Sequence, residues 1–76
     1  MIDVTVAVKN ALNFIKTLQP SVFDERLEEV ELTEDESNWL ITLSYKDSMI
    51  ATERTYKTFK LDADSGRVQY MKIRSV

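Results

Sequence analysis

The chain has 76 residues, and its ten basic and thirteen acidic residues give a net charge of −3. A chain of this length is expected to form a single domain, residues 1–76, whose core is only just large enough for stability. The negative balance disfavours a nucleic-acid-binding protein, which needs a clustered basic surface. Because the chain has no cysteine and no histidine, disulfides, the usual zinc sites and Cys or His nucleophiles are excluded.

The N-terminal sequence Met-Ile-Asp-Val lacks the basic segment and the apolar run of a signal peptide. Elsewhere, no stretch approaches the roughly 20 apolar residues of a membrane span. We therefore expect a soluble, cytoplasmic protein with no membrane partner.

Residues Asp3 to Gln19 are predicted to form a helix. Their apolar residues recur at spacings of three and four, which makes one apolar stripe. The stripe consists of Val4, Ala7, Val8, Ala11, Leu12, Ile15 and Leu18. Asp3 is a suitable N-cap, and Pro20 disfavours helical geometry at Gln19. Apolar residues also alternate from Ile2 to Val8, so the first turn or two could instead be extended, but the longer stripe favours the helix.

The middle of the chain predicts two strands. Ser21 to Arg26 is expected to be a short helical turn or a loop, and Leu27 to Thr33 a strand. In that strand Val30 and Leu32 are predicted to point inward, with Glu29 and Glu31 outward. An acidic turn then leads to Trp39–Tyr45, the clearest strand, with alternate residues on opposite faces. Residues 46 to 53 form a longer connection.

Thr55 to Arg74 is predicted to be a β-hairpin. Phe59 and Leu61 alternate with polar residues on its first arm, and the second arm begins at Val68. The turn, Asp62-Ala-Asp-Ser-Gly66, contains the only glycine of the chain, which is expected to adopt a positive φ.

Two apolar spacings of three interrupt the alternation in this hairpin, from Tyr56 to Phe59 and from Val68 to Met71. A bulge near Gln69 or Lys57 would bring the apolar residues on either side of it onto the core-facing side of the strand. Without a bulge, Tyr56 and Tyr70 point away from the core. Met71 and Ile73 are expected to point inward.

These elements predict an α+β fold, with one N-terminal helix packed on a four-stranded antiparallel meander sheet, in the order α-β-β-β-β. The links between strands are short, which favours antiparallel neighbours. A single helix covers only one face of such a sheet.

The other, open face is the predicted protein-binding surface. It combines an acidic first strand, a hydroxyl-rich centre and a basic last strand, although ordinary solvation of a wet sheet face is the simpler interpretation. Its candidate binding residues are Leu40, Thr42, Thr58, Lys60, Lys72 and Arg74.

No cofactor or metal site is predicted. Asp62-x-Asp64-x-Gly66 suggests a calcium loop, but the twelfth position, which should be a bidentate Glu, is Ile73. A helix lying on a sheet also leaves little room for a deep pocket, and no phosphate loop or nucleophile elbow is present. We therefore expect a protein that is not an enzyme.

The segment Leu61-Asp-Ala-Asp-Ser-Gly-Arg-Val68 resembles the hairpin signature of PepSY-like domains, and Trp39 resembles that family's aromatic strand opening. Ser65 replaces the usual Thr, and Arg67 replaces the usual acid. The resemblance implies a half-cystatin fold and a regulatory or inhibitory binding role, in several members towards a peptidase, with no catalytic residues. No cystatin-type Gln-x-Val-x-Gly loop is present.

The sequence thus predicts a small regulatory module that binds another protein through its open sheet face or an edge strand. The alternatives are a self-associating protein, such as a homodimer, and a small-ligand carrier.

Overall fold

In a computed structural model, which describes residues 1–74, the chain forms one helix followed by four antiparallel strands. The predicted α+β layout is confirmed. The elements are α1 (Val4–Leu18), β1 (Phe23–Leu32), β2 (Asn38–Lys46), β3 (Thr55–Asp62) and β4 (Val68–Ile73). The strands lie in the order β1-β2-β3-β4, so that β1 and β4 are the edges of the sheet.

The helix begins at the predicted N-cap. A carboxylate oxygen of Asp3 accepts hydrogen bonds from the backbone N–H (2.8 Å) and the hydroxyl (2.7 Å) of Thr5. The helix buries Ala7, Ala11 and Ile15 against the sheet. The two small alanines allow the helix to lie close to the strands.

Within residues 1–74, no helix is long and apolar enough to cross a membrane.

The core lies between α1 and one face of the sheet, which we call the helix face. Alternate residues of β2 and β3 supply this face, as the sequence predicts. The fully buried strand residues of the core are Ile41, Leu43, Tyr45, Phe59 and Leu61. Trp39 packs against this core but is only partly buried, and its indole N–H donates to the Ile2 carbonyl at 3.2 Å.

Strand β1 begins at Phe23, whereas the sequence predicted a helical turn or loop there. Its pairing with β2 shifts register between Phe23 and Arg26 and again between Leu27 and Glu29. These β-bulges break the alternation by which strands are recognised. Asp24 has a φ of +56°, a left-handed conformation that is uncommon outside glycine. Val30 lies on the helix face as predicted, but 36% of it is exposed because the helix does not cover this edge.

Strand β4 contains a bulge at Gln69, one of the two positions that the sequence left open. Leu61 pairs with Val68 and Lys60 with Tyr70, so Gln69 is the additional residue. The bulge places both Val68 and Met71 against the core. Pairing at Lys57 is regular, which leaves Tyr56 on the open face. Tyr70 also lies on the open face, opposite Lys60, although the bulge is present.

The exposure of Ile73 contradicts the sequence prediction that this side chain is buried. Ile73 lies on the helix face, opposite Lys57, but it is 76% exposed instead of buried. The helix-face residues of β4 that pack against the core are Val68 and Met71. Ile73 therefore adds an apolar side chain to the outer edge of the sheet.

The β3–β4 turn has the predicted geometry. Gly66 has a φ of +76°, and its N–H donates to the Asp62 carbonyl at 2.8 Å. The Asp62 carboxylate accepts the N–H groups of Asp64 (2.9 Å) and Ser65 (2.8 Å), and these bonds lower the pKa of Asp62. This carboxylate stabilises the turn by the bonds of an Asx turn.

Candidate protein-binding surfaces

The residues of the predicted binding face share the open face of the sheet. The strand register places Leu40 beside Lys60, and Thr42 beside Thr58, which in turn pairs with Lys72. Arg74 follows β4, and its side chain reaches Thr42. The six side chains are therefore brought together on one face.

This open face is less accessible than the sequence suggests, because its own long polar side chains cover its centre. Only 3% of Thr42 is exposed, and Ser44 is fully buried. Thr42 shares a hydroxyl–hydroxyl bond of 3.0 Å with Thr58 and accepts a bond from Arg74 at 3.2 Å. The hydroxyls are thus already satisfied within the chain.

Arg74 spans the open face. From its position after the last strand, its guanidinium donates to Thr42 on β2 and forms an ion pair with Glu29 on β1, with an N–O distance of 3.0 Å. The hydrogen bond to Glu29 raises the pKa of Arg74 above its usual value. The ion pair therefore links the two edges of the sheet.

A second polar cluster surrounds Arg54, a residue that sequence reasoning missed. Its guanidinium donates to the carboxylate (2.9 Å) and the carbonyl (2.6 Å) of Asp24, and to the hydroxyl of Ser44 (3.0 Å). Ser44 in turn donates to Glu28 at 2.6 Å. The bond from Arg54 lowers the pKa of Asp24. Arg54 thus holds the irregular start of β1 against β2.

Replacing Arg54 with Met should destabilise the protein by about 1–2 kcal/mol, because Asp24 and Ser44 lose their hydrogen bonds from Arg54, whereas Asp24 remains open enough to rehydrate. Urea unfolding gives the measurement. Arg26→Met is the matched control, since the Arg26 side chain is more exposed and, among the described residues, its guanidinium bonds only the carboxylate of Asp24. Equal midpoints for the two variants would contradict a holding role for Arg54.

Aromatic and basic side chains occupy the β4 side of the open face. The ammonium of Lys72 lies 4.5 Å from the ring centre of Tyr70, and that of Lys60 lies 5.6 Å from it. Both distances are within the range of cation–π attraction. Two of the three basic side chains predicted for this surface, Lys60 and Lys72, are therefore held over one ring.

An apolar groove lies on the opposite face of the sheet, between α1 and the edge strand β1. Its volume is about 480 Å³. It is lined by Val4, Thr5, Val8, Leu27 and Val30. Leu27 is 49% exposed and Val30 36%, which is high for residues on the covered face of a sheet. Sequence reasoning missed this groove because it treated the helix face as fully covered.

A further exposed apolar pair lies in the β2–β3 connection. Met49 is 77% and Ile50 89% exposed. The base of the connection is tied to the segment between α1 and β1, because the Ser21 hydroxyl donates to the Asp47 carbonyl at 2.9 Å. These side chains project from an anchored loop.

The described residues contain no group of three or more acidic side chains placed to hold a metal ion. Asp62, the first carboxylate of the calcium-like pattern, is occupied by the backbone N–H groups of its own turn. The Asp62 carboxylate therefore serves to hold the turn through these hydrogen bonds.

No protein-family model, no curated protein and no solved structure matches this chain. The PepSY-like resemblance therefore remains a prediction from the hairpin sequence.

Proposed function

We propose that this chain is a non-enzymatic protein-binding module that acts through its edge strand β1. In this proposal, an extended segment of a partner pairs with β1 and lays alternate side chains into the groove beside α1. The observation that supports it is the coincidence of a free strand edge and an apolar groove at one residue, Val30.

The hydrogen-bond phase of the sheet determines which backbone groups of β1 face outward. The Thr33 N–H donates to the Asn38 carbonyl at 2.9 Å, so this pair is bonded across β1 and β2. Bonded and non-bonded pairs alternate along antiparallel strands. Val30 and Leu32 therefore direct their N–H and C=O groups away from β2, towards a strand that could be added.

The side chains of the same segment favour strand addition. Val30 and Leu27 line the groove, and the helix covers neither of them completely. A partner strand paired with Val30 would place its alternate side chains on the same face, next to this apolar surface. Backbone bonds would supply affinity, and the groove would supply selectivity.

The open face is the less favoured of the two surfaces predicted from the sequence. Its central hydroxyls are buried under Arg54 and Arg74 and have partners within the chain. A partner there would have to displace these bonds. A regulatory or inhibitory role of the PepSY-like kind, and the expected cytoplasmic location, remain part of this proposal.

A peptide-display selection followed by NMR tests the proposal. Random peptides are selected against the dilute wild-type protein, and enriched peptides are titrated into 15N-labelled protein. We expect shifts in the amides of Val30 and Leu32 and in the first turns of α1. Val30→Glu should weaken binding at least about tenfold, because a charge would enter the apolar groove.

Ile73→Glu is the matched control, since it makes the same kind of change on the helix face of the opposite edge strand. It should leave peptide binding at β1 unchanged. Shifts confined to the open face would assign the function to that surface instead, and a selection that enriches no binding peptide would contradict the proposed function.

A further inference from the structure

We infer that β1 pairs with strand β4 of a second copy of this chain, so that neighbouring copies share one continuous antiparallel sheet. This inference rests on the proposed use of β1 as a strand-pairing edge, and it names the partner. Four features carry it: the strand directions, the phase of the free backbone groups, the apolar side chains and the charges.

Strand directions allow the pairing without any rearrangement. In the order β1-β2-β3-β4, with every neighbour antiparallel, β1 and β4 run in opposite directions. A second copy in the same orientation, placed beside the first, therefore presents its β4 antiparallel to β1. Its helix then lies on the same side of the shared sheet.

The free backbone groups of the two edges are in matching phase. The Arg74 N–H donates to the Tyr56 carbonyl at 2.9 Å, which makes this a bonded pair across β3 and β4. By alternation, Met71 and Ile73 direct their backbone groups outward. On β1 the outward residues are Val30 and Leu32, and all four of these residues lie on the helix face.

One register therefore aligns Val30 with Ile73 of the second copy and Leu32 with Met71. Both are apolar pairs on the helix face. Ile73, which is 76% exposed in the single chain, would be covered next to the groove of its neighbour. This explains why an apolar side chain stands at the outer edge of β4.

The same register aligns opposite charges on the open face. Glu31 comes to lie opposite Lys72 of the second copy, and Glu29 opposite Arg74. These are positions of non-bonded pairs, where the Cα atoms of antiparallel strands are closest. By contrast, pairing β1 with another β1 would bring its acidic residues together. Those residues are Asp24, Glu25, Glu28, Glu29 and Glu31.

Only one of the two ion pairs between copies is gained on association. Arg74 already bonds Glu29 of its own chain at 3.0 Å, so association only exchanges one Glu29 for another. Glu31 and Lys72 are exposed, and neither has an ion-pair partner among residues 1–74. The contact between Glu31 and Lys72 is therefore the new one, and it is the contact to test.

Sedimentation equilibrium over a concentration series measures the association. The strand pair is short and belongs to the small interfaces, below about 1,200 Å² in total, so we expect weak association that rises with concentration. Because the contact joins two different edges, mass should grow beyond a dimer unless a ring closes. Glu31→Lys and Lys72→Glu should each weaken association about tenfold through like-charge contacts.

The double variant, with both changes on one chain, restores an opposite-charge pair and should recover wild-type association. Glu34→Lys is the matched control, since it reverses an exposed acid in the β1–β2 turn and should have no more than a small effect. Circular dichroism verifies that each variant is folded.

A wild-type protein that stays monomeric throughout would overturn the inference, as would a dimer insensitive to Lys72→Glu or a double variant that fails to recover. Peptide binding at β1 in the display experiment would still support the proposed function in those cases. Conversely, recovery by the double variant without any peptide binder would support self-association alone.

Discussion

Replacing Phe59 with Ala should destabilise the protein by about 3–5 kcal/mol, the usual loss for a large aromatic side chain in a packed core. Phe59 is fully buried at the centre of β3. Its ring meets that of Phe14 edge to face, with 6.2 Å between ring centres. Since domains of this kind have only about 5–15 kcal/mol of stability, much of the variant should be unfolded on warming.

Thermal or urea unfolding followed by circular dichroism gives the comparison. Phe23→Ala is the matched control, because Phe23 is 42% exposed at the start of β1 and should cost far less. If both variants unfolded at the same midpoint, the assignment of the core to the space between α1 and the sheet would be wrong.

Gly66→Val should be the second most damaging change, with a loss of about 2 kcal/mol or more from two independent causes. A β-branched residue is strained at the φ of +76° found here. In addition, a Cβ atom would lie 2.7 Å from the side-chain nitrogen of Asn10, which donates to the Gly66 carbonyl at 3.0 Å. The added atom would thus displace a bond between the helix and the hairpin turn.

Gly66→Asn separates these causes, since asparagine tolerates a positive φ but still places a Cβ atom against Asn10. Its loss should fall between those of wild type and Gly66→Val in the same unfolding experiment. A Gly66→Val variant as stable as wild type would refute the turn geometry.

Much of the fold could be predicted from periodicity and turn chemistry. The helix followed from one long stripe with an aspartate before it and a proline after it. Strand β2 followed from strict alternation, and the last hairpin from its aspartates and Gly66. Even the bulge at Gln69 is indicated in the sequence, because Val68 and Met71 are three residues apart yet both apolar.

The first strand could not be delimited in this way, although the same signal was present. Leu27 and Val30 are also three apart, and a bulge between them places both on the helix face. The charged residues before Leu27, including Asp24 in a left-handed conformation, are poor strand formers, so the sequence did not show that pairing continued to Phe23.

The candidate surfaces were harder to foresee because they depend on contacts distant in sequence. Arg54 lies in an irregular connection and forms a hydrogen bond with Asp24, thirty positions away in the sequence. No periodic pattern indicates such a contact. Similarly, the sequence placed Val30 and Ile73 inward but could not show that a single helix leaves both outer edges uncovered. Exposure at an edge is set by the width of the sheet relative to one helix.

The bulges of β1 also bear on aggregation. A long, regular edge strand would template the addition of further chains along its whole length, as in amyloid. Here the regular segment is short, because Glu28 interrupts it on one side and the turn after Leu32 on the other. Any strand added to this edge can therefore form only a few backbone bonds before the pairing is broken. The irregularity thus limits how much backbone pairing this open edge can offer to another chain.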